Sequence, residues 1–493
     1  MKKLVLSILI LGMLTPVMAK GYIKPIDDFN KYQIVHERTT LPSSFDSRNE
    51  GWTLDPRDQM IDGTCWAFSC VSAWQILCHK NNLTTGYLSP QLLSNCHEGF
   101  LIEHMTGGGN TRVANSMLAR LEGVVTEEAV PYNHKDLNCP NYDKKDTPTY
   151  ILGWNYLPEN DAIAIKENIM EYGAVSANIY FSYSSLNTTT GIYQYNGEEG
   201  PNHAVTLIGW DDNKQAWLAQ NSWGENSFYG DYLWISYDDA LVSVDCTSYT
   251  NLTPVSSIDK VYHHTTTGTL AGYGIDTHIV SDGIVEFNFG EGEQLVAIGT
   301  GVPAANTRLT FSVIDLDKHA FLYVSDPVTV TYSSFYKHEL PTPLTVSGNI
   351  HIAVTYYSET GKYVIPIEGN IPNYSEVELK KGCQWIDFYE SGEWIPMGTD
   401  LDPYNLGIYA YTKEKTTNLN ETSDTNKRAF NGTQIADDIW ESARCIHVYG
   451  IDGKLYKTLS ESDSTLPSLV TGVYLLVVEK QDGSAYTEKI WIQ

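Results

Sequence analysis

Gln59 stands six residues before Cys65, which is followed directly by Trp66, Ala67 and Phe68. A cysteine attacks carbon only as its thiolate, so its surroundings decide whether it is a nucleophile. Apolar residues at Ala67, Val71, Trp74 and Leu77 or Cys78 recur at helical spacing, and 65–80 reads as a buried helix with Cys65 in its first turn. The unpaired N–H groups and positive dipole end of a helix N-terminus favour thiolate over thiol. Cys65 is therefore poised for attack on a carbonyl, whereas Cys70 and Cys78, deeper in the same helix, read as inert small apolar residues. Metal chemistry finds no matching pattern. There is no C-x-x-C pair and no H-E-x-x-H, and His97 and His104 have no helix-spaced partner, so neither a metal nor another cofactor is expected. Gly290-Glu291-Gly292, with Leu295 where a third glycine would stand, reads as a turn between strands and not as a dinucleotide loop.

The elements that must hold such a cysteine fall into two halves. Further helices are expected at 111–122 and 162–172. After Gly173 the pattern changes to strands at 174–181, 203–210, 216–221 and 232–236, separated by Gly, Asn and Asp turns. A helical half precedes a sheet half.

Several blocks then occur in a telling order. Asp62-Gly63-Thr64-Cys65-Trp66-Ala67-Phe68 is followed by Leu88-Ser89-Pro90-Gln91, Gly107-Gly108-Gly109 and Gly123-Val124-Val125-Thr126-Glu127, then by Asn202-His203-Ala204-Val205 with Gly209-Trp210, and by Gln220-Asn221-Ser222-Trp223-Gly224. Over about 41–250 this resembles the papain family of cysteine peptidases. His203 follows Cys65 by 138 residues and Asn221 by 156, near the roughly 130 to 150 of that family. The resemblance implies a Cys65 nucleophile paired as an ion with His203, an imidazole oriented by Asn221 and shielded by Trp223, and an oxyanion site built from Gln59 and the Cys65 N–H. It also implies that Gly107, Gly108, Gly109 and Asn202 form the substrate rim, where an extended peptide adds as a strand, and that Cys96 and Cys139 are bridged. Asp62 stands where the family has a cysteine, so the family's first disulfide cannot form, and a nearby carboxylate would oppose the thiolate. The segment 20–40 is too short for the long helical inhibitory propeptide of many relatives.

The fold class this implies is α+β, a two-lobed papain-like peptidase with a helical lobe and a β-barrel lobe at 41–252, followed by two all-β sandwich domains. At 253–412 short alternating runs recur without helical periodicity. Tyr262 and the runs 283–289, 293–298, 350–356 and 394–398 resemble the lectin-like sandwich appended to some bacterial members. Trp385 and Trp394 are candidates for stacking on a saccharide, with packing inside the protein the expected role. A polar linker follows at 413–429. The runs Val448-Tyr449-Gly450, Gly472-Val473-Tyr474-Leu475 and Lys489-Ile490-Trp491-Ile492-Gln493 within 430–493 resemble the C-terminal sorting domain of the type IX secretion system.

Length and composition agree with this division. A chain of 493 residues argues for two to four domains. Its 60 acidic against 32 basic residues give a net charge of −28, which repels phosphate backbones, so nucleic acid is not an expected partner. Lys2 and Lys3, the apolar run 4–13 and Ala19 read as a signal peptide at 1–19. No later apolar run is long enough to span a bilayer, and no transmembrane segment is expected. The reading is a secreted or cell-surface cysteine endopeptidase acting on peptide or protein substrates through an acyl-enzyme. Outer-membrane secretion machinery is expected as a partner of the tail. The competing reading is a catalytically silent adhesin or carbohydrate-binding protein on the same scaffold.

Overall fold

The computed structural model describes residues 21–25, 34, 36, 40–83, 85–224, 230–274, 279–359, 364–388 and 393–414, and in the tail 430–431, 434–435, 443–450, 455–460, 463, 472–481 and 485–492. The expected signal peptide and nearly all of the expected linker lie outside these residues. The chain divides into two compact units, Met1–Glu414 and Lys415–Gln493.

The helix Cys65–Lys80 has the expected bounds but is buried more completely than a one-sided stripe predicts, since every residue from Cys65 to Cys78 except Ser72 is inside. A helix that is enclosed all round belongs to the middle of a core. On one side it meets the strand His203–Asp211, where the Ser69 hydroxyl donates to the Val205 carbonyl at 2.7 Å. The helix Thr111–Ala119 is shorter than the expected 111–122, because Leu121 at φ 66° takes a left-handed conformation that ends it. Its start is set by Asn110, whose side chain accepts from the Arg112 and Val113 N–H groups. The helix Ala162–Tyr172 begins on the Asp161 side chain and ends at Gly173, where φ is 96°.

The His203 strand is the centre of the sheet half. It pairs antiparallel with Val175–Ile179, with Ala216–Gln220 and with Ser44–Asp46, and Tyr232–Ser236 continues the sheet beyond Ala216–Gln220. Pairing does not stop at residue 252. Trp154–Leu157 pairs with Cys246–Tyr249 on one side and with the start of Ser333–Tyr357 on the other. Tyr409 and Tyr411, from the end of the middle region, are buried in the same apolar cluster as Trp74 and Tyr249, and the Tyr411 hydroxyl donates to the Ala119 carbonyl at 2.8 Å. The two regions expected at 41–252 and 253–412 therefore share a core.

The middle region adds a second core of its own, with Val285, Phe287, Phe311, Ile352 and Val354 among its members. Its spine is a pair of long strands, Val280–Val302 and Ser333–Tyr357. The runs 283–289 and 293–298 both belong to the first of these. The turn expected at 290–292 is instead an irregularity in the pairing between Phe289 and Glu293, opposite Gly348 and Val346. A bulge of this kind bends a strand without ending it. In the second unit, the strands Leu455–Leu459, Ala443–Gly450, Gly472–Lys480 and Ala485–Ile492 form one antiparallel sheet in that order, close to the runs expected there.

Cys96 and Cys139 are joined by a disulfide that closes a loop of 43 residues. The chain-entropy model gives about 4 kcal/mol for such a loop. Replacing both cysteines by alanine should lower the unfolding free energy by about 2–4 kcal/mol in urea titrations, and an unchanged midpoint would show that the bridge does not constrain the unfolded chain.

Candidate active site

The helix Cys65–Lys80 delivers Cys65 at its first residue, and the strand His203–Asp211 delivers His203 at its own first residue. The Ala204 N–H points at the Cys65 sulfur, 3.4 Å away. On the other side of the imidazole, His203 Nε2 and Asn221 Oδ1 are 2.9 Å apart. Because that oxygen is an acceptor, Nε2 carries the proton in the neutral ring, and Nδ1 keeps its lone pair. Asn221 Oδ1 also accepts from the Ser222 N–H at 2.9 Å, and Asn221 Nδ2 reaches the Gly230 carbonyl at 3.4 Å. Trp223 lies flat on the imidazole, with centroids 4.3 Å apart and planes 20° from parallel, and Phe181 packs edge-on against Trp223.

Gln59 is buried and fixed at both ends of its amide. Its Nε2 donates to the Asp62 carbonyl at 2.7 Å and its Oε1 accepts from the Ser222 hydroxyl at 2.6 Å. One N–H of Nε2 therefore remains beside the loop that carries Cys65. Asp62 turns toward Tyr132 and His134, with its Oδ2 3.3 Å from the Tyr132 oxygen and 3.8 Å from His134 Nδ1. Burial pushes its pKa up, and those two partners act in the opposite sense. At Cys65 burial has the largest effect, and backbone N–H groups, that of Ala204 first, act against it.

The cleft is not empty: residues 21–25 lie in it. The Gly21 N–H donates to the Asn202 carbonyl at 3.2 Å, the Gly109 N–H to the Gly21 carbonyl at 3.1 Å, and the Ile23 N–H to the Gly109 carbonyl at 2.9 Å. Tyr22 thereby pairs with Gly109 as in a parallel sheet. Gly21 passes so close to Cys65 that a Cβ at this position would stand 2.6 Å from its sulfur. Of the expected rim residues, Gly109 bonds to this strap, Gly108 contacts it, and Asn202 reaches it through its backbone carbonyl; Gly107 packs on Glu103 instead.

Under the strap both reactive groups are buried. Burial pushes the Cys65 thiol up to about 12, and it pushes the His203 imidazole down to about 4 despite the Asn221 bond. Between those values the occluded pair is a neutral thiol and a neutral imidazole, in contrast to the ion pair that the resemblance implies. The segment 20–40 was expected to be too short to inhibit by a helix. The described part takes another geometry, with Gly21 against the sulfur and Tyr22 and Ile23 running along Gly109, and nothing in its composition marks it out. Asp245, which meets the Tyr22 side chain in the cleft, was likewise not legible in the sequence.

A family model described as papain family cysteine protease matches residues 41–251. Residues 41–251 are a papain-family cysteine protease domain. Cathepsin K of Mus musculus is 29% identical over 191 residues, covering 38% of this chain and 57% of its own length. Cathepsin S of Bos taurus is 32% identical over 191 residues, covering 37% of this chain and 56% of its own. The chain thus spans little more than half the length of these curated relatives. The crystal structure of the cysteine protease and lectin-like domains of Cwp84, a surface layer associated protein of Clostridium difficile, aligns at a TM-score of 0.69 and 21% identity, over 80% of this chain and 93% of that one. That alignment extends the likeness of fold beyond the protease domain into the β-rich region that follows it.

The close approach of Gly21 gives a direct test of the strap. In the intact chain Cys65 should react slowly with iodoacetamide near pH 7. Gly21→Ala places a methyl group against the sulfur and the Gly63 backbone, and should speed labelling at Cys65 at least tenfold, as read by peptide mass spectrometry. Equal rates in the two proteins would show that the strap does not guard Cys65.

Proposed function

We propose that the papain-family domain hydrolyses peptide bonds as a cysteine endopeptidase, and that the chain with residues 21–25 in the cleft is its latent form. The observation that carries this reading is the convergence of Cys65, His203, Asn221, Trp223 and Gln59 from separate parts of the chain onto one point. A silent adhesin has no use for an imidazole whose tautomer is set by an asparagine beside a sulfur.

Once the strap leaves, water reaches the pair and the desolvation that holds both groups neutral is relieved. The proton of the Cys65 thiol passes to His203 Nδ1. The thiolate attacks the substrate carbonyl carbon, and the negative charge on the carbonyl oxygen is met by the Cys65 N–H and Gln59 Nε2. The imidazolium gives its proton to the leaving amine as the C–N bond breaks, leaving a thioester. His203 then takes a proton from water, the hydroxide attacks the thioester, and the acid departs as the thiol reforms. Asn221 keeps the ring aimed through both steps, and Trp223 excludes water from the Asn221 bond.

The motifs of the second unit favour a sorting signal for a secreted protein, and among the described residues no helix is long and apolar enough to cross a membrane. Trp385 and Trp394 line one cleft of about 530 Å³ with Phe321 and His351, and Trp394 is 44% exposed, which supports ligand contact over interior packing for that ring.

Casein hydrolysis by the full chain carrying Gly21→Ala tests the proposal. Adding Cys65→Ala should abolish it, adding His203→Ala should reduce it by about 10²- to 10⁴-fold, and adding Asn221→Ala should reduce it less. Absence of cleavage by a Gly21→Ala protein whose Cys65 is labelled by iodoacetamide would refute the peptidase reading.

A further inference from the structure

The two donors proposed for the oxyanion, Gln59 Nε2 and the Cys65 N–H, stand at opposite ends of one loop. The apex of that loop is open to solvent, with Met60 left-handed at φ 59° and Ile61 75% exposed. Its one cysteine, Cys65, is free, so no disulfide anchors it. The Tyr132 hydroxyl reaches both ends. It donates to the Gln59 carbonyl at 2.9 Å and lies 2.9 Å from the hydroxyl of Thr64, the residue before Cys65. With the phenol proton on the Gln59 carbonyl, Thr64 is the donor to the phenol oxygen. Asp62 Oδ2, 3.3 Å away, is a second acceptor for that proton. Tyr132 is itself held against the helix that carries Cys65. Its ring meets Phe68 edge-on, with centroids 4.9 Å apart, and its N–H donates to Glu127 Oε1 at 3.3 Å. Glu127 pairs with Arg57, whose guanidinium lies 5.1 Å over the same Phe68 ring. Burial pushes the Tyr132 phenol up, so at neutral pH it keeps its proton and remains a donor.

Resting on the peptidase reading above, we infer that Tyr132 is a positioning residue for the oxyanion, its hydroxyl setting the separation of Gln59 Nε2 and the Cys65 N–H. One N–H of Gln59 is spent on the Asp62 carbonyl inside the same loop, so the other is aimed only while the loop itself keeps its shape. Donors directed at developing charge act on the transition state and add nothing to the binding of substrate. Loss of the phenol hydroxyl therefore lowers kcat and leaves KM in place. Alkylation of Cys65 by iodoacetamide separates this role from a general loosening of the fold. In that reaction the thiolate sulfur bonds to a saturated carbon as the C–I bond breaks and iodide departs. No oxyanion forms, so the labelling rate reports the thiolate and its access without the oxyanion donors.

The experiment uses the full chain carrying Gly21→Ala and follows initial rates on fluorescein-labelled casein over a concentration series. Adding Tyr132→Phe, which keeps the ring on Phe68, should lower kcat at least tenfold while KM and the rate of Cys65 labelling each stay within about twofold. Gln59→Ala should lower kcat by about 10²- to 10³-fold. Adding Tyr132→Phe to Gln59→Ala should then cost at most about threefold more, because the hydroxyl acts largely through that side chain. Should Tyr132→Phe misfold, Thr64→Val removes the hydroxyl at the other end of the link and should show the same split between kcat and labelling. An unchanged kcat, a fall in kcat matched by an equal fall in labelling, or an equal cost of Tyr132→Phe with and without Gln59 overturns the inference and leaves the peptidase reading standing. Absence of casein cleavage by the Gly21→Ala chain, with Cys65 labelled, overturns the peptidase reading and this inference with it.

Discussion

The packing of the helix Cys65–Lys80 against the strand His203–Asp211 is the constraint on which everything else depends. The reactive groups sit at the first residue of each element, so the helix position along the strand sets the distance between sulfur and imidazole. Ser69, one turn further along the helix, locks that position through its hydroxyl: it donates to the Val205 carbonyl at 2.7 Å and lies 2.7 Å from the Ser176 hydroxyl. A buried hydroxyl whose partners come from two strands cannot slide without leaving a polar group unpaired, which costs about 1–3 kcal/mol. The spacing of Cys65 and His203 is thereby fixed by packing well away from the cleft.

The electrostatics of the site follow from who occupies it. With the strap in place Cys65 and His203 are both shut off from water, and burial disfavours the charged form of each. In the proposed latent form occlusion would act twice: it would block the approach of a carbonyl carbon and withhold the thiolate. The strap holds its place largely by backbone hydrogen bonds to Gly109 and Asn202, the same edge an extended peptide would use. A competitor for that edge need not disturb the core beneath it.

The β-rich region from about 253 to 414 is joined to the protease domain by more than a linker. Strand pairing between Trp154–Leu157 and Ser333–Tyr357, and the burial of Tyr409 and Tyr411 beside Trp74 and Tyr249, make one apolar interior of what composition reads as two regions. The Arg120 guanidinium donates to the Thr266 carbonyl across the same junction. Shared cores of this kind favour folding together over relative motion.

The sequence by itself determined the local elements and the order of the reactive residues. The helical period around Ala67, Val71 and Trp74 marked the Cys65 helix to its observed bounds, and the strands at 203–211 and 216–220 were legible to within a residue, because burial of one face writes a period into the chain. The papain-like motifs named Cys65, His203, Asn221, Gln59 and Trp223. Tertiary structure alone decided three other things. It turned the glycines at 290–292 from a turn into a bulge within a long strand, because their partners lie some sixty residues away and pairing there outweighs local turn preference. It fused two predicted domains through tyrosines that alternate like any strand. It placed Gly21 over Cys65 and brought Asp245 to meet Tyr22, a contact across 223 residues. A period reports which face of an element is buried, and carries no record of what that face, or a short unpatterned strap, will touch.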